Sequence, residues 1–248
     1  MPSLVNVRRL EESVALLEMN DAETENRLSE RLCRELSEAL SALALDTSIR
    51  ALVLRGTRRV FCAGATIEAL RRIAGGEIEV RDLTLARQIL QFPVPVIGAV
   101  DGHAVGGGLV VALCCDITVA CENSRYGVNF TELGFTPGMG ATALLPALAG
   151  SQFAAEMMLT AKFYKGRELK HRNVFTHVVP SNEVMPLASE IAGRIATKPR
   201  HVLELLKETL ALPRLSALDL AVSRESLMHR ICFGRLETAR LIDDAYQV

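Results

Sequence analysis

The chain has 248 residues, 49% of them hydrophobic, with 28 basic and 29 acidic side chains and a net charge of −1. This size and apolar content predict a large folded unit with a substantial core. The balanced charge, an aromatic content of 4% and the lack of tryptophan disfavour both a nucleic-acid-binding surface and a basic membrane-binding face.

The six cysteines form no C-x-x-C pair and none has zinc-finger spacing to a histidine, so no metal site is predicted. The opening residues, MPSLVNVRRLEE, do not resemble a secretory signal. We therefore expect a cytoplasmic protein whose thiols are reduced and mostly buried. The longest apolar region, residues 94–121, is interrupted by Asp101, His103 and Asp116, so no membrane span is predicted.

The N-terminal part of the chain predicts strands alternating with helices. Leucines recur at three- and four-residue steps from Leu28 to Leu43, which is typical of an amphipathic helix. Around that helix we expect strands at 3–8, 13–19 and 49–55, a loop leading into a helix that stops at Gly75-Gly76, and a helix over 80–90.

The stretch Pro93 to Gly108, PVPVIGAVDGHAVGGG, is the most informative part of the sequence. It predicts a buried strand, a turn, a glycine corner and the start of a helix. Backbone N–H groups at a helix start lack partners, and glycine lets another molecule approach them closely. The corner is therefore either an oxyanion-binding site or a tightly packed joint between strand and helix.

The rest of the chain changes character near residue 181. Before it we expect strands at 117–120, 125–128 and 174–179 and a helix at 151–161, and after it only helices, at 181–197, 199–211 and 216–246. Pro199 and Pro213 mark the predicted joints between those helices. The fold class is thus α/β, with a strand–helix core over 1–180 and a helical region over 181–248 in the same structural unit.

Three stretches together resemble the crotonase superfamily, the enoyl-CoA hydratase/isomerase fold: FCAGATI, PVIGAVDGHAVGGG and YGVNFTELGFTPGMGAT. The resemblance implies a ββα spiral core, a helical trimerisation region, and a homotrimer or dimer of trimers. It also implies an acyl thioester substrate on coenzyme A or acyl carrier protein, with no cofactor beyond the carrier's phosphopantetheine. By motif position, the N–H groups of Ala65 and Gly107 would hold the thioester oxygen.

Two positions depart from the hydratases of that family. Val110 and Phe130 stand where the resemblance implies catalytic glutamates, and neither side chain can move a proton. Hydration is therefore disfavoured, and so is double-bond isomerisation unless Glu132 supplies the missing carboxylate. A non-catalytic homologue that only binds thioesters is a further alternative.

The stretch NFTELGFTPGMGAT resembles the crotonase-fold decarboxylases of polyketide β-branching cassettes. That resemblance implies decarboxylation of a 3-methylglutaconyl group on an acyl carrier protein to a 3-methylcrotonyl product. Loss of CO2 needs no base, and Val110 and Phe130 would line an apolar binding pocket.

The same resemblance implies a histidine near the C-terminus and a basic residue on the helix before PVPV. His229 is the proton-donor candidate, and Arg81 and Arg87 are the candidate cations for the leaving carboxylate, where a lysine would be expected. His103 and Asp116 are expected to have structural roles.

Overall fold

The computed structural model describes residues 2–78 and 84–246. Its strands are β1 Val5–Glu11, β2 Val14–Met19, β3 Ala51–Arg55, β4 Val60–Cys62, β5 Val96–Val100, β6 His103–Val105, β7 Ile117–Cys121, β8 Arg125–Gly127, β9 Tyr164–Lys165 and β10 His177–Val179. The helices are α1 Glu30–Leu45, α2 Ile67–Ala74, α3 Leu85–Leu90, α4 Gly107–Cys114, α5 Ala141–Ala149, α6 Ser151–Thr160, α7 Gly166–Leu169, α8 Ser181–Ala196, α9 Arg200–Phe233 and α10 Leu236–Tyr246.

The strands form two sheets. The larger has the order β1-β2-β3-β5-β7-β10 and is parallel except for the β1–β2 pair. The smaller has the order β4-β6-β8-β9, with β9 antiparallel. Because β4 pairs with β6, the segments that follow these two strands emerge side by side.

Both faces of the inner strands β2, β3, β5 and β7 are largely buried, which explains why these strands are mostly apolar, whereas the edge strand β1 is mostly exposed. In β3, Leu52 and Leu54 face the main core, which includes α1, α3 and α4. Ala51 and Val53 face the opposite side, where a row of small residues on α8 covers the sheet. The predicted α/β core is confirmed, and among residues 181–246 the structure contains helices and no strand, as predicted.

The prediction that Pro213 separates two helices is wrong, because α9 continues through it to Phe233. A proline inside a helix removes one backbone hydrogen bond and costs about 3 kcal/mol. Here Lys207 and Arg214, on either side of the proline, are both anchored to Asp116. These tertiary contacts thus stabilise a continuous helix through Pro213, a residue that would end an isolated helix.

Smaller differences concern short elements. The predicted strand 174–179 begins only at residue 177, and the three-residue strands β4 and β6 lie where a loop and a turn were expected. Of the helix predicted over 80–90, residues 85–90 are helical and 79–83 fall outside the described part.

Candidate active site

A cavity of about 580 Å³ opens between strands of the smaller sheet and the helices around it. Its lining comes from the loop before α1, from α1, α2 and α3, from the segments after β4 and β6, from the loop before α5, and from α9 and α10. Ala65, Gly107, Phe130 and His229, four of the residues predicted from the sequence, all line it.

The glycine corner is built for close approach. Gly106 has φ 53° and ψ −121°, a conformation that side chains disfavour, and it precedes the first residue of α4. A Cβ on Gly108 would lie 2.2 Å from the carbonyl oxygen of Cys62, so only glycine lets α4 pack onto β4. Gly107 is the first residue of α4, and its N–H therefore has no acceptor within the helix.

Ala65 lies beside this corner on the segment that follows β4. The Leu28 N–H donates to the Gly64 carbonyl at 2.7 Å, and the Tyr246 hydroxyl donates to the Ala65 carbonyl at 2.7 Å. These contacts fix the Ala65 peptide groups, while the Ala65 N–H has no hydrogen-bond partner among the described residues. Ala65 and Gly107 thus both line the cavity, and within the described residues neither N–H group has a hydrogen-bond partner; that of Gly107 lies at a helix N-terminus.

The two positions that lack glutamates differ in their surroundings. Phe130 lines the cavity and packs edge-to-face against Phe135, with 5.8 Å between ring centroids. Val110 is fully buried in the main core and is not among the described lining residues. The burial of Val110 in the main core does not support the substrate contact predicted for it.

Acidic side chains are almost absent from the cavity. Among the described lining residues only Glu25 carries a carboxylate, and it is exposed to solvent. Glu132, the alternative base, is exposed and does not belong to the described lining. The interior of the cavity therefore favours an apolar or anionic acyl group over one that needs a carboxylate base.

His229 is held in one tautomer by the backbone before α5. It is 5% exposed, and its Nε2 lies 2.6 Å from the carbonyl oxygen of Thr136 and 3.2 Å from that of Pro137. Carbonyl oxygens only accept, so Nε2 carries the hydrogen, and Nδ1 has a lone pair without a partner. Burial lowers the pKa of His229, which leaves the resting imidazole neutral at pH 7.

The two predicted arginine cations have different outcomes. Arg81 lies outside the described residues. Arg87 is partly exposed, forms an ion pair with Asp219 on α9, and is absent from the described cavity lining. Its position does not support a role in carboxylate binding, because its guanidinium is already paired with Asp219 outside the described lining. Three other arginines line the cavity: Arg27, Arg34 and Arg125.

Glu225 is a buried carboxylate that the sequence analysis missed. It accepts hydrogen bonds from Gly140 N at 2.8 Å, Thr142 N at 3.1 Å and Thr142 Oγ1 at 2.7 Å, at the start of α5. Burial raises the pKa of Glu225. One helical turn away, His229 holds the other end of the same loop, so α9 clamps residues 136–142 at both ends. No sequence signal links these groups, because the partners are about 85 residues apart.

Asp116 joins α9 to the core through a charged cluster. Lys207 Nζ lies 2.7 Å from both carboxylate oxygens, Arg214 Nη2 lies 2.5 Å from one, and Val96 N donates to the other at 2.9 Å. Arg214 also donates to the carbonyls of Cys114 and Cys115 at the end of α4. The structural role expected for Asp116 is therefore confirmed.

The remaining polar groups are structural. His103 Nδ1 accepts a hydrogen bond from Arg125 N at 2.8 Å, as expected for a structural histidine, and burial lowers its pKa. All six cysteines are free, and four of them are buried. Within residues 2–78 and 84–246, no cluster of side chains is arranged to hold a metal ion, and no helix is long and apolar enough to cross a membrane.

Comparisons with known proteins agree with this geometry. The sequence matches the enoyl-CoA hydratase/isomerase family over residues 9–237. It is 35% identical over 244 residues to the bacillaene synthase decarboxylase PksI of Bacillus subtilis, covering 98% of each chain.

Two solved structures extend the similarity to three dimensions. One belongs to a dehydratase/decarboxylase enzyme couple involved in polyketide beta-branching, with a TM-score of 0.95, 34% identity and coverage of 99% of this chain and 100% of the other. The other is the ECH2 decarboxylase domain of CurF from Lyngbya majuscula, with a TM-score of 0.92, 31% identity and coverage of 99% and 100%.

Proposed function

Because this chain belongs to the enoyl-CoA hydratase/isomerase family, the crotonase superfamily, we propose that it decarboxylates a 3-methylglutaconyl-type thioester on acyl carrier protein or coenzyme A. One observation carries the proposal. The cavity pairs two unpartnered backbone N–H groups with an apolar side chain, Phe130, and its only described carboxylate, that of Glu25, is exposed. The decarboxylase names of the similar proteins support it.

The first step is binding of the thioester oxygen by the Ala65 and Gly107 N–H groups. Both are backbone donors on fixed segments, so they need no rearrangement when negative charge develops on that oxygen. The positive end of the α4 dipole adds to the effect at Gly107. Loss of one such donor typically costs about 2.7–4 kcal/mol of transition-state stabilisation.

The second step breaks the bond between the carboxylate carbon and the neighbouring methylene. Its electron pair moves through the carbon–carbon double bond onto the thioester oxygen, giving a dienolate and CO2. Phe130, Leu133 and Phe135 line this cavity with apolar surface. Such surface disfavours a localised carboxylate more than a dienolate whose charge is spread over several atoms.

The last step adds a proton to a carbon atom of the dienolate, and His229 is the candidate donor. The resting imidazole has its only hydrogen on Nε2, which is committed to two carbonyls. The transferable proton therefore has to be taken up from solvent at Nδ1. An incoming substrate carboxylate favours that protonation, since an adjacent negative charge raises a histidine pKa.

The alternatives make different demands. A hydratase or isomerase using Glu132 needs that side chain in the cavity, but it is exposed and outside the described lining. To separate the reactions, the enzyme is incubated in parallel with 3-methylglutaconyl and crotonyl thioesters, each on carrier protein and on coenzyme A. We expect CO2 release from the former and no hydration of the latter. Hydration without CO2 release would refute the proposal, and binding of both without turnover would establish a non-catalytic homologue.

The outer face of α9 supports a homotrimer or a dimer of trimers. Its exposed apolar side chains include Leu205 at 64%, Leu220 at 77% and Ile231 at 64%. Such a continuous apolar stripe is typical of a subunit interface, and a second copy of this chain is the occupant we propose. Sedimentation equilibrium should give a multiple of three chains, with dissociation in Leu220→Glu. A monomer for the unmodified chain would contradict this assembly.

A further inference from the structure

A polar region of the cavity lies between α1 and α3, away from the glycine corner. Arg34 and Ser37, one turn apart on α1, both line the cavity. Thr84 and Gln88, one turn apart at α3, line it as well. Four hydrogen-bonding side chains therefore face a cavity whose lining is otherwise mostly apolar.

The Gln88 amide has a buried atom without a partner. Gln88 Nε2 lies 2.6 Å from Ser37 Oγ, and its Oε1 is buried with no hydrogen bond. A separation of 2.6 Å is short for an N–H donor but ordinary for a hydroxyl donating to an oxygen. The nitrogen and oxygen of an amide are assigned from their hydrogen bonds. If the amide is rotated so that its oxygen and nitrogen exchange positions, the Ser37 hydroxyl donates to Oε1. The Gln88 NH2 group is then the one that has no hydrogen-bond partner.

Arg34 supplies the positive charge in this region. Its guanidinium is exposed, and neither an ion pair nor a hydrogen bond engages it within the described residues. The Gln88 NH2 group and the Arg34 guanidinium are both donors, so the group that would pair with them is an acceptor carrying negative charge. A carboxylate meets both conditions.

We propose that Arg34 and Gln88, the latter oriented by Ser37, recognise the free carboxylate of the substrate. This inference rests on the proposed decarboxylation. A Cβ on Gly107 would lie 3.1 Å from Leu28 Cδ1, so the chain leading into α1 touches the glycine corner. Arg34 is about 6 Å further along the axis than the first residue of α1. That offset suits a five-carbon acyl chain with a thioester at one end and a carboxylate at the other.

The solvent exposure of Arg34 determines how strongly its ion pair with the substrate carboxylate contributes to binding. A solvated ion pair is weak, so it selects a charged substrate without strongly stabilising the carboxylate that must leave. We therefore expect Arg34→Gln to raise KM by about two- to fivefold, the range of an exposed ion pair, and to leave kcat within a factor of two.

The direct test measures binding of two pantetheine thioesters by calorimetry. Glutaryl-pantetheine carries a carboxylate that does not leave, and isovaleryl-pantetheine is neutral. Arg34→Gln should weaken glutaryl binding by about two- to fivefold, and Gln88→Glu at least as much, while both leave isovaleryl binding unchanged. Gln88→Glu keeps an oxygen for Ser37 but presents a negative charge to the ligand. Arg58→Gln, at an exposed arginine outside the described lining, is the matched control and should alter neither.

Equal weakening of both ligands, or no weakening of glutaryl binding in Arg34→Gln, would overturn the inference. Neither binding experiment depends on turnover. If the unmodified enzyme releases CO2 while Arg34→Gln binds glutaryl-pantetheine normally, the inference fails and the proposed function stands. If no CO2 is released but the preference for glutaryl disappears in Arg34→Gln, carboxylate recognition stands and decarboxylation fails.

Discussion

Replacing Asp116 by alanine should lower the free energy of unfolding by about 3–5 kcal/mol, because two cations would lose their shared buried counter-charge. Lys207 is only 3% exposed, and both of its short contacts, at 2.7 Å, are to Asp116. The substitution also leaves Val96 N without its acceptor. For a chain of this size the loss corresponds to a fall in Tm of roughly 6–20 °C.

Urea denaturation followed by circular dichroism measures this loss without adding salt. The control is Glu190→Ala, since Glu190 and Arg194 are exposed and 4.0 Å apart, and its effect should stay within about 0.5 kcal/mol. If an unpaired buried charge causes the loss, Asp116→Ala/Lys207→Met should be more stable than Asp116→Ala alone. A double variant no more stable than the single one, or a single variant indistinguishable from the control, would refute the reasoning.

Three further predictions concern the site. Above the lowered pKa of His229, kcat/KM should rise about tenfold per unit fall in pH, since the protonated imidazole becomes more populated, and a pH-rate profile of His229→Asn should lack that slope. Phe130→Glu should slow CO2 release at least tenfold, because a second carboxylate in the cavity repels that of the substrate; an unchanged rate would contradict this. Gly108→Ala should cost about 1–3 kcal/mol in urea denaturation by pushing α4 off β4, whereas Gly75→Ala, with no contact closer than 3.4 Å, should cost less than about 1 kcal/mol.

The parts of the fold set by local pattern were predictable from the sequence. The leucine repeat in α1 and the apolar runs of β2, β3 and β5 specify helix and strand directly. The strands β4 and β6 were not recognised, because three residues are too few to show alternation. Pro213 was misinterpreted because its local effect is overridden by Asp116, a partner about 100 residues away.

The candidate site likewise contains residues that the sequence could predict and residues that it could not. Ala65, Gly107, Phe130 and His229 belong to recognisable stretches, and all four line one cavity. A sequence does not reveal which face of a helix meets a cavity. Arg87 was therefore selected although its side chain pairs with Asp219, and Val110 although it points into the core. Glu225 escaped notice because its partners, Gly140 and Thr142, are more than 80 residues away. Arg34 escaped notice because the polar residues that line the cavity beside it, Thr84 and Gln88, lie at another helix.

The central claim is that the dienolate formed by loss of CO2 is protonated in this cavity. The most direct measurement uses a 3-methylglutaconyl thioester labelled with ¹³C in its free carboxyl group, on acyl carrier protein, in D2O. We expect labelled CO2 and one deuterium in each acyl product, with both signals strongly reduced in His229→Asn. Deuterium or hydroxyl incorporation without labelled CO2 would contradict it.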